Sequence, residues 1–312
     1  MRHSSMLRLD FSSMIEATSS QVFDWHMRPG AFSRLAPPWV PVRLIHHDGI
    51  YKGSQAELRI GIGLLGVAWV AEHTHVWIDR GFRDIQIAGP FSEWRHVHHF
   101  VRHDENTSFL RDRIICRLPW WGVSHPILGR FVRSSFERQF AFRHRQTQRD
   151  LWVHTMYPHR GRSFCISGDE KSTMEYAAAF FLSGGWRKEE NPMQATVHLD
   201  LRKDQTSLHV GLRSFCWLQK TWVVPPIGRR SYILADDLLI AAAVSVDAFA
   251  DPSGGHRIDN CWLAYLAAPH GGSAPVKKPV ASDWSVQMKR PLDRRLSEYH
   301  FRSKGAFARV NP

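Results

Sequence analysis

Trp94-Arg95-His96-Val97-His98-His99-Phe100 alternates two kinds of side chain. Successive side chains of an extended strand point to opposite faces, so Trp94, His96, His98 and Phe100 share one side and Arg95, Val97 and His99 the other. Arginine resists burial, which makes the Arg95 side the outer one. The ring-rich side then faces an interior. Neighbouring stretches repeat the pattern: Trp69 and His73 share a face, as do Phe82, Asp84 and Gln86, and as do Leu110 and Asp112. Arg83, Arg111 and Arg113 fall on the opposite one. The spacing predicts an antiparallel sheet with one enclosed face.

Outward from this string, strand-length runs at 7–11, 39–45, 56–62, 67–73, 82–87, 94–103 and 108–118 are separated by Gly, Asp, Asn or Pro turns. Ser12-Ser13 closes the first run. Thr18-Ser19-Ser20 offers N-caps for a helix carrying Val22, Phe23 and Trp25-His26, which Arg28-Pro29-Gly30 stops. A second short helix at 31–35 runs into Pro37-Pro38. After Pro119-Trp120-Trp121-Gly122 the period turns helical: Leu128, Val132, Phe136 and Phe140 form one stripe, with Phe131 beside it. A helix over 123–147 is predicted, laid against a sheet spanning 7–118.

At 312 residues the chain exceeds one ordinary domain of about 100 to 200 residues. A hydrophobic content of 43% with 13 tryptophans supplies a core and excludes disorder throughout. The net charge of +12 suits anionic partners, but the arginines are scattered and no basic-aromatic cassette appears, so nucleic acid is not an expected partner. Cys116, Cys165, Cys216 and Cys261 show no C-x-x-C spacing and read as buried thiols of a reducing compartment. The N-terminus lacks a signal-peptide pattern, and the longest apolar run, 238–246, is far shorter than the ~20 residues that span a bilayer. A cytoplasmic protein without a membrane span is expected.

Three stretches carry a resemblance: 23–39 (Phe23-Asp24-Trp25-His26 through Pro37-Pro38-Trp39), Phe82-Arg83-Asp84-Ile85-Gln86 with Gly89-Pro90-Phe91, and the opening string at 94–100. Together they resemble the SRPBCC, or START-like helix-grip, domain that many bacteria fuse to an atypical short-chain epimerase of the nucleotide-sugar type. Such proteins often carry the label of cell division inhibitor. The resemblance implies an α+β fold, a long terminal helix plugging a curved antiparallel sheet, and a cavity for a hydrophobic ligand. It also implies a following Rossmann unit. Phe164-Cys165-Ile166-Ser167-Gly168, a helical stretch at 174–182 and Gly184-Gly185-Trp186 look like its first strand, turn and helix. Gly168 keeps the first phosphate-loop position, but Lys171 and Met174 stand where the other two glycines belong, so a side chain is expected to intrude on the pyrophosphate. Ser231-Tyr232-Ile233-Leu234 and Ser253-Gly254-Gly255-His256 look like late elements of the same epimerase, too near the first for a complete one. Tyr176 is followed at the fourth position by Phe180, so the Tyr-x-x-x-Lys pair is missing. The expected organisation is a helix-grip domain at 1–150, a small degenerate Rossmann-like α/β segment at 151–270, and a basic, poorly ordered tail at 271–312.

Trp69, His73, Phe82, Asp84, Gln86, Trp94, His96, His98, Phe100, Leu110 and Asp112 are the candidate cavity residues. Apolar walls with a few convergent polar groups are what ligand pockets present. The polar members read first as a satisfied network, next as ligand contacts, and last, for His96 and His98, as chelators without a third ligand fixed by spacing. No metal site is assigned on that basis. Asp beside His suits general acid-base work, yet nothing identifies a reaction. His46, His47 and His256 read as turn residues. The expected function is noncatalytic binding of a small, largely hydrophobic molecule, with no cofactor. The alternative is an NAD(P)-dependent epimerase or oxidoreductase.

Overall fold

The computed structural model describes residues 6–37, 39–61, 66–117, 126–169, 171–202, 205–210 and 213–218. The expectations for Leu118, for 119–122, for the epimerase-like stretches beginning at Ser231 and Ser253 and for the tail at 271–312 lie outside the described residues. So does that for the Leu128 side chain. The chain divides into two compact units between Trp152 and Val153.

The first unit begins with β1 (Met6–Ile15), α1 (Ser19–Met27) and α2 (Ala31–Leu35). Six strands follow: β2 (Val42–His47), β3 (Gln55–Ile60), β4 (Val67–Trp77), β5 (Gly81–Ala88), β6 (Glu93–Arg102) and β7 (Ser108–Arg117). The long helix α3 (Pro126–Met156) comes next. The sheet order is β1-β7-β6-β5-β4-β3-β2, antiparallel at every step. This mixed α/β layout, with two short helices after the first strand and one long helix after the last, is the helix-grip order.

Local chemistry sets the elements. Thr18 and Gln21 form a capping box, the Gln21 amide donating to Thr18 Oγ1 at 3.2 Å and the Thr18 amide to Gln21 Oε1 at 2.9 Å. At the β6–β7 turn, Asp104 Oδ1 accepts from the amides of Asn106 and Thr107 at 2.8 and 2.7 Å. The β4–β5 hairpin requires Gly81: its φ is 135°, and a Cβ there would lie 1.8 Å from the His98 carbonyl oxygen.

Several boundaries differ from those expected. β1 continues through Ser12-Ser13 because it pairs with β7 along its whole length, to Ile15 opposite Ser108. β2 starts at Val42 rather than 39, since Pro41 has no N–H to give a ladder. A bulge between His73 and His75 lets β4 run on to Trp77. α3 runs from Pro126 to Met156, beyond the expected 147, and its inward stripe is also displaced. Val132 is only half-buried, and the stripe that packs on the sheet passes through Phe136, Phe140, His144, Thr147 and Leu151.

Among the described residues of the first unit, two clusters form core. Leu9, Phe11, Trp94, Ile114, Cys116 and Phe140 form one, with Phe136 and Trp69 against it. Trp25, Phe82, Phe100, Leu110 and Leu151 belong to the other. A buried ion pair fastens α2 to α3: Arg34 Nε and Nη2 donate to Asp150 Oδ2 and Oδ1 at 2.7 and 2.8 Å. Gln146 Nε2 donates to Asp150 Oδ1 as well, at 2.8 Å. This bidentate geometry is what a guanidinium needs to remain charged in the interior.

The second unit contains β8 (Ser163–Gly168), α4 (Lys171–Ser183), β9 (Arg187–Lys188), β10 (Val197–Leu201), β11 (Gln205–Val210) and β12 (Arg213–Leu218). Its sheet order is β12-β11-β10-β8-β9. β8 pairs in parallel with both β9 and β10, whereas β10, β11 and β12 form an antiparallel meander. Phe164 stacks on Phe181 with ring centroids 4.9 Å apart, and Val197, Leu199 and Leu208 are fully buried around them. Among the described residues no helix is long and apolar enough to cross a membrane.

Phe140 stacks on Phe11 at 4.5 Å and is 2% exposed, while Phe131, on the same helix, is 65% exposed. Phe140→Ala is expected to cost about 3 to 5 kcal/mol in urea unfolding, and Phe131→Ala less than about 0.5 kcal/mol. Equal losses would place the wrong face of α3 on the sheet.

Candidate functional site

Register brings the polar residues of the inner face together. His73 of β4 lies opposite Asp84 of β5, and Asp84 opposite His96 of β6. One step along the same face, Phe82 pairs with His98, and His98 with Asp112 of β7. Arg95, Arg111 and Arg113 are exposed, as the alternation requires. Between this face and the helices lies a cavity of about 220 Å³.

Of the candidates read from the sequence, Trp69, His73, Phe82, Asp84, Trp94, His96 and His98 line the cavity. Four of the candidates do not. Gln86 turns to the β5–β6 loop, donating from Nε2 to the Phe91 carbonyl at 2.6 Å. Phe100 and Leu110 are covered by α1 within the core. Asp112 lies beneath the lining, 3% exposed. The lining also includes His26 of α1, His47 of β2, and Phe136, Phe140 and Arg143 of α3. His47 is therefore not the exposed turn residue that its place beside Asp48 and Gly49 suggested. His26 and Arg143 were legible only as helix residues, because the cavity they border is made by segments distant in sequence.

Asp112 organises the polar end. It accepts hydrogen bonds from His96 Nε2 at 2.9 Å and from His144 Nε2 at 2.6 Å. His98 Nδ1 is 2.7 Å from Asp112 Oδ1, but off the line of a hydrogen bond. Burial resists a charge on Asp112, yet the field of His98 and the hydrogen bonds from His144 and His96 hold the carboxyl well below the usual carboxylate range. His98 is pushed well below its ordinary value by burial, with His96 adding to the effect, so it is the carboxylate and not this imidazole that carries charge. With its Nε2 proton committed to Asp112, His144 accepts at Nδ1 from the Ser13 hydroxyl, 2.8 Å away. No sequence pattern singled out His144.

Asp84 faces the cavity from β5. Its Oδ1 accepts from Trp94 Nε1 at 3.2 Å, and its Oδ2 lies 3.5 Å from His96 Nδ1 and 3.7 Å from His98 Nε2. Asp84, His96 and His98 each offer one ligand atom within 4.8 Å of the others. Strand pairing thus sets a third potential donor beside the two histidines, which spacing alone could not. Burial lowers the proton affinity of Arg143, opposed by the two carboxylates, and its guanidinium sits 5.1 Å over the Phe140 ring.

In the second unit Gly168 ends β8, where a Cβ would lie 2.3 Å from the Leu201 carbonyl oxygen. Close approach of the unit's own strands is sufficient to require glycine there. The Lys171 side chain is 82% exposed and pairs with Glu175 at 3.7 Å along the helix.

No known family profile matches the sequence, and no curated protein is similar to it. Among solved structures, a nucleoside-diphosphate sugar epimerase from Corynebacterium glutamicum aligns over 62% of this chain at 22% identity and a TM-score of 0.46. The aligned part is 39% of that epimerase's length. Norcoclaurine synthase from Thalictrum flavum, solved with dopamine and hydroxybenzaldehyde, aligns over 48% of this chain and 88% of its own, at 11% identity and a TM-score of 0.38.

Burial pushes the His26 imidazole from 6.5 down to about 4; the Val22 carbonyl and Asp112 pull the other way, and Arg143 and His144 add to the depression. Between those two values the unfolded chain takes a proton at His26 that the folded chain refuses. The stability this residue contributes is complete above about 6.5, falls as the pH falls, and levels off below about 4. A depression of this size corresponds to about 3 kcal/mol. Urea unfolding across that window should show His26→Gln losing less stability than wild type, and parallel profiles would place the sensitivity elsewhere.

Proposed function

We propose that the first unit binds a small, largely apolar molecule in the grip cavity without catalysing a reaction on it. The observation that carries this reading is a cavity of about 220 Å³ lined by Trp69, Phe82, Trp94 and Phe136 together with His73, Asp84, His96 and His98. Aromatic walls with a few polar groups among them are the composition of a site that orients an amphipathic ligand. The volume is below the roughly 300 to 1,000 Å³ of pockets for drug-sized molecules, so the ligand is smaller than those. In this reading the cavity residues Trp69, His73, Phe82, Asp84, Trp94, His96 and His98 are ligand contacts, while Asp112 positions the imidazoles.

The second unit is read as a shortened dinucleotide fold that has lost its cofactor. The order β8, α4, β9 with parallel pairing supports the kinship, and the antiparallel β11 and β12 support the loss. Calorimetry of the full chain with NAD(H) or NADP(H) should show no binding at about millimolar cofactor, and micromolar affinity would restore the epimerase alternative.

Ala71 lines the cavity from β4. Ala71→Phe is expected to fill part of the space at an overpacking cost of about 1 to 3 kcal/mol. Native mass spectrometry of wild type should reveal a co-purifying small molecule, and calorimetry with 2-naphthol should give saturable heat that the variant loses. Equal binding by both proteins would refute a role for this cavity.

A further inference from the structure

We propose that Asp84, His96 and His98 hold one divalent transition-metal ion of the zinc class, with a coordination position left open to the cavity. This goes beyond ligand binding and does not rest on it. The three donors come from paired strands: Asp84 stands directly across from His96, and His98 follows two residues later on the same face. Their rings are held close, with the His96 and His98 centroids 3.9 Å apart.

The spacing suits an ion. Asp84 Oδ2 lies 3.5 and 3.7 Å from the two imidazole nitrogens, at the limit of or beyond hydrogen-bonding reach. Ligands at about 2.0 to 2.1 Å from a tetrahedral ion are separated from one another by roughly 3.4 Å. A carboxylate oxygen near this distance from each of two nitrogens, with all three atoms within 4.8 Å of one another, brackets the space of one ion.

The protons also fall in the right places. His96 gives its Nε2 proton to Asp112, which leaves Nδ1, the nitrogen aimed at Asp84, with its lone pair free. On His98 the atom beside Asp112 is Nδ1, so Nε2 is the nitrogen presented to Asp84. For His96 this is the arrangement by which a carboxylate behind a histidine orients it for a metal and raises its basicity, while His98 Nδ1 lies close to the same carboxylate without a hydrogen bond.

Two imidazoles and one carboxylate favour zinc, cobalt, nickel or iron over magnesium or calcium, which prefer all-oxygen sites. Three protein ligands leave at least one position, and Trp69 and Phe82 border the cavity from which it would be filled.

The test uses the full-length chain, stripped with chelator and titrated with Co²⁺ alone. Wild type should develop the intense visible bands of four- or five-coordinate cobalt, saturating at one ion per chain and bleached by Zn²⁺. Asp84→Asn and His98→Gln, each checked for folding by circular dichroism, should bind cobalt about tenfold or more weakly, with altered bands. A wild-type spectrum no different from that of hexa-aqua cobalt would overturn the proposal, with no need for either variant to fold. Bands that persist unchanged in both folded variants would also overturn it, by placing the ion elsewhere among the chain's 19 histidines.

Discussion

A carboxylate that is 3% exposed can stay ionised only if its surroundings replace the water it has lost, and Asp112 is given three imidazoles for that purpose. His96 and His98 reach it from β6 and His144 from α3, while His144 in turn is held by Ser13 of β1. One buried charge therefore locks the long helix to the first strand and to the middle of the sheet. The depth at which α3 sits follows from this. So does the orientation of the His96 ring at the polar end of the cavity, since rotating it away would leave the carboxylate underpaired.

Much of the architecture was legible because period-2 alternation is a purely local property. The string at 94–100 identified its inward and outward faces correctly, and the Thr18 and Gln21 caps and the Arg28-Pro29-Gly30 stop delimited α1. Less legible was where the inward face ceases to be cavity and becomes core. Phe100 and Leu110 share a face with His98 and Asp112, but α1 covers them, and no periodicity within β6 or β7 records what a distant helix will cover.

The helix stripe was read correctly at Phe136 and Phe140 and stopped short beyond them for a related reason. His144 and Thr147 interrupt the apolar pattern of α3, so the sequence reads as if its buried face ended near Phe140. Both residues are buried, because their polar atoms find partners inside: Asp112 for His144, and the Arg143 carbonyl for Thr147 at 3.0 Å. Gly168 shows the converse hazard. It reads as the start of a phosphate loop, yet the Leu201 backbone already explains why no side chain fits. In each case a residue type served a tertiary contact that local pattern cannot distinguish from its usual role.

The Arg34–Asp150 pair also orders events in time. α2 has only five residues, too short to hold its own position, and the carboxylate that fixes it lies 116 residues further along the chain. During synthesis the sheet can assemble strand by strand through local hairpins. The ion pair that anchors Arg34 of α2 in the interior cannot form until Asp150 has been made and has left the ribosome. A nascent first unit therefore passes through a stage in which its strands can pair while the buried link from α2 to α3 has yet to form.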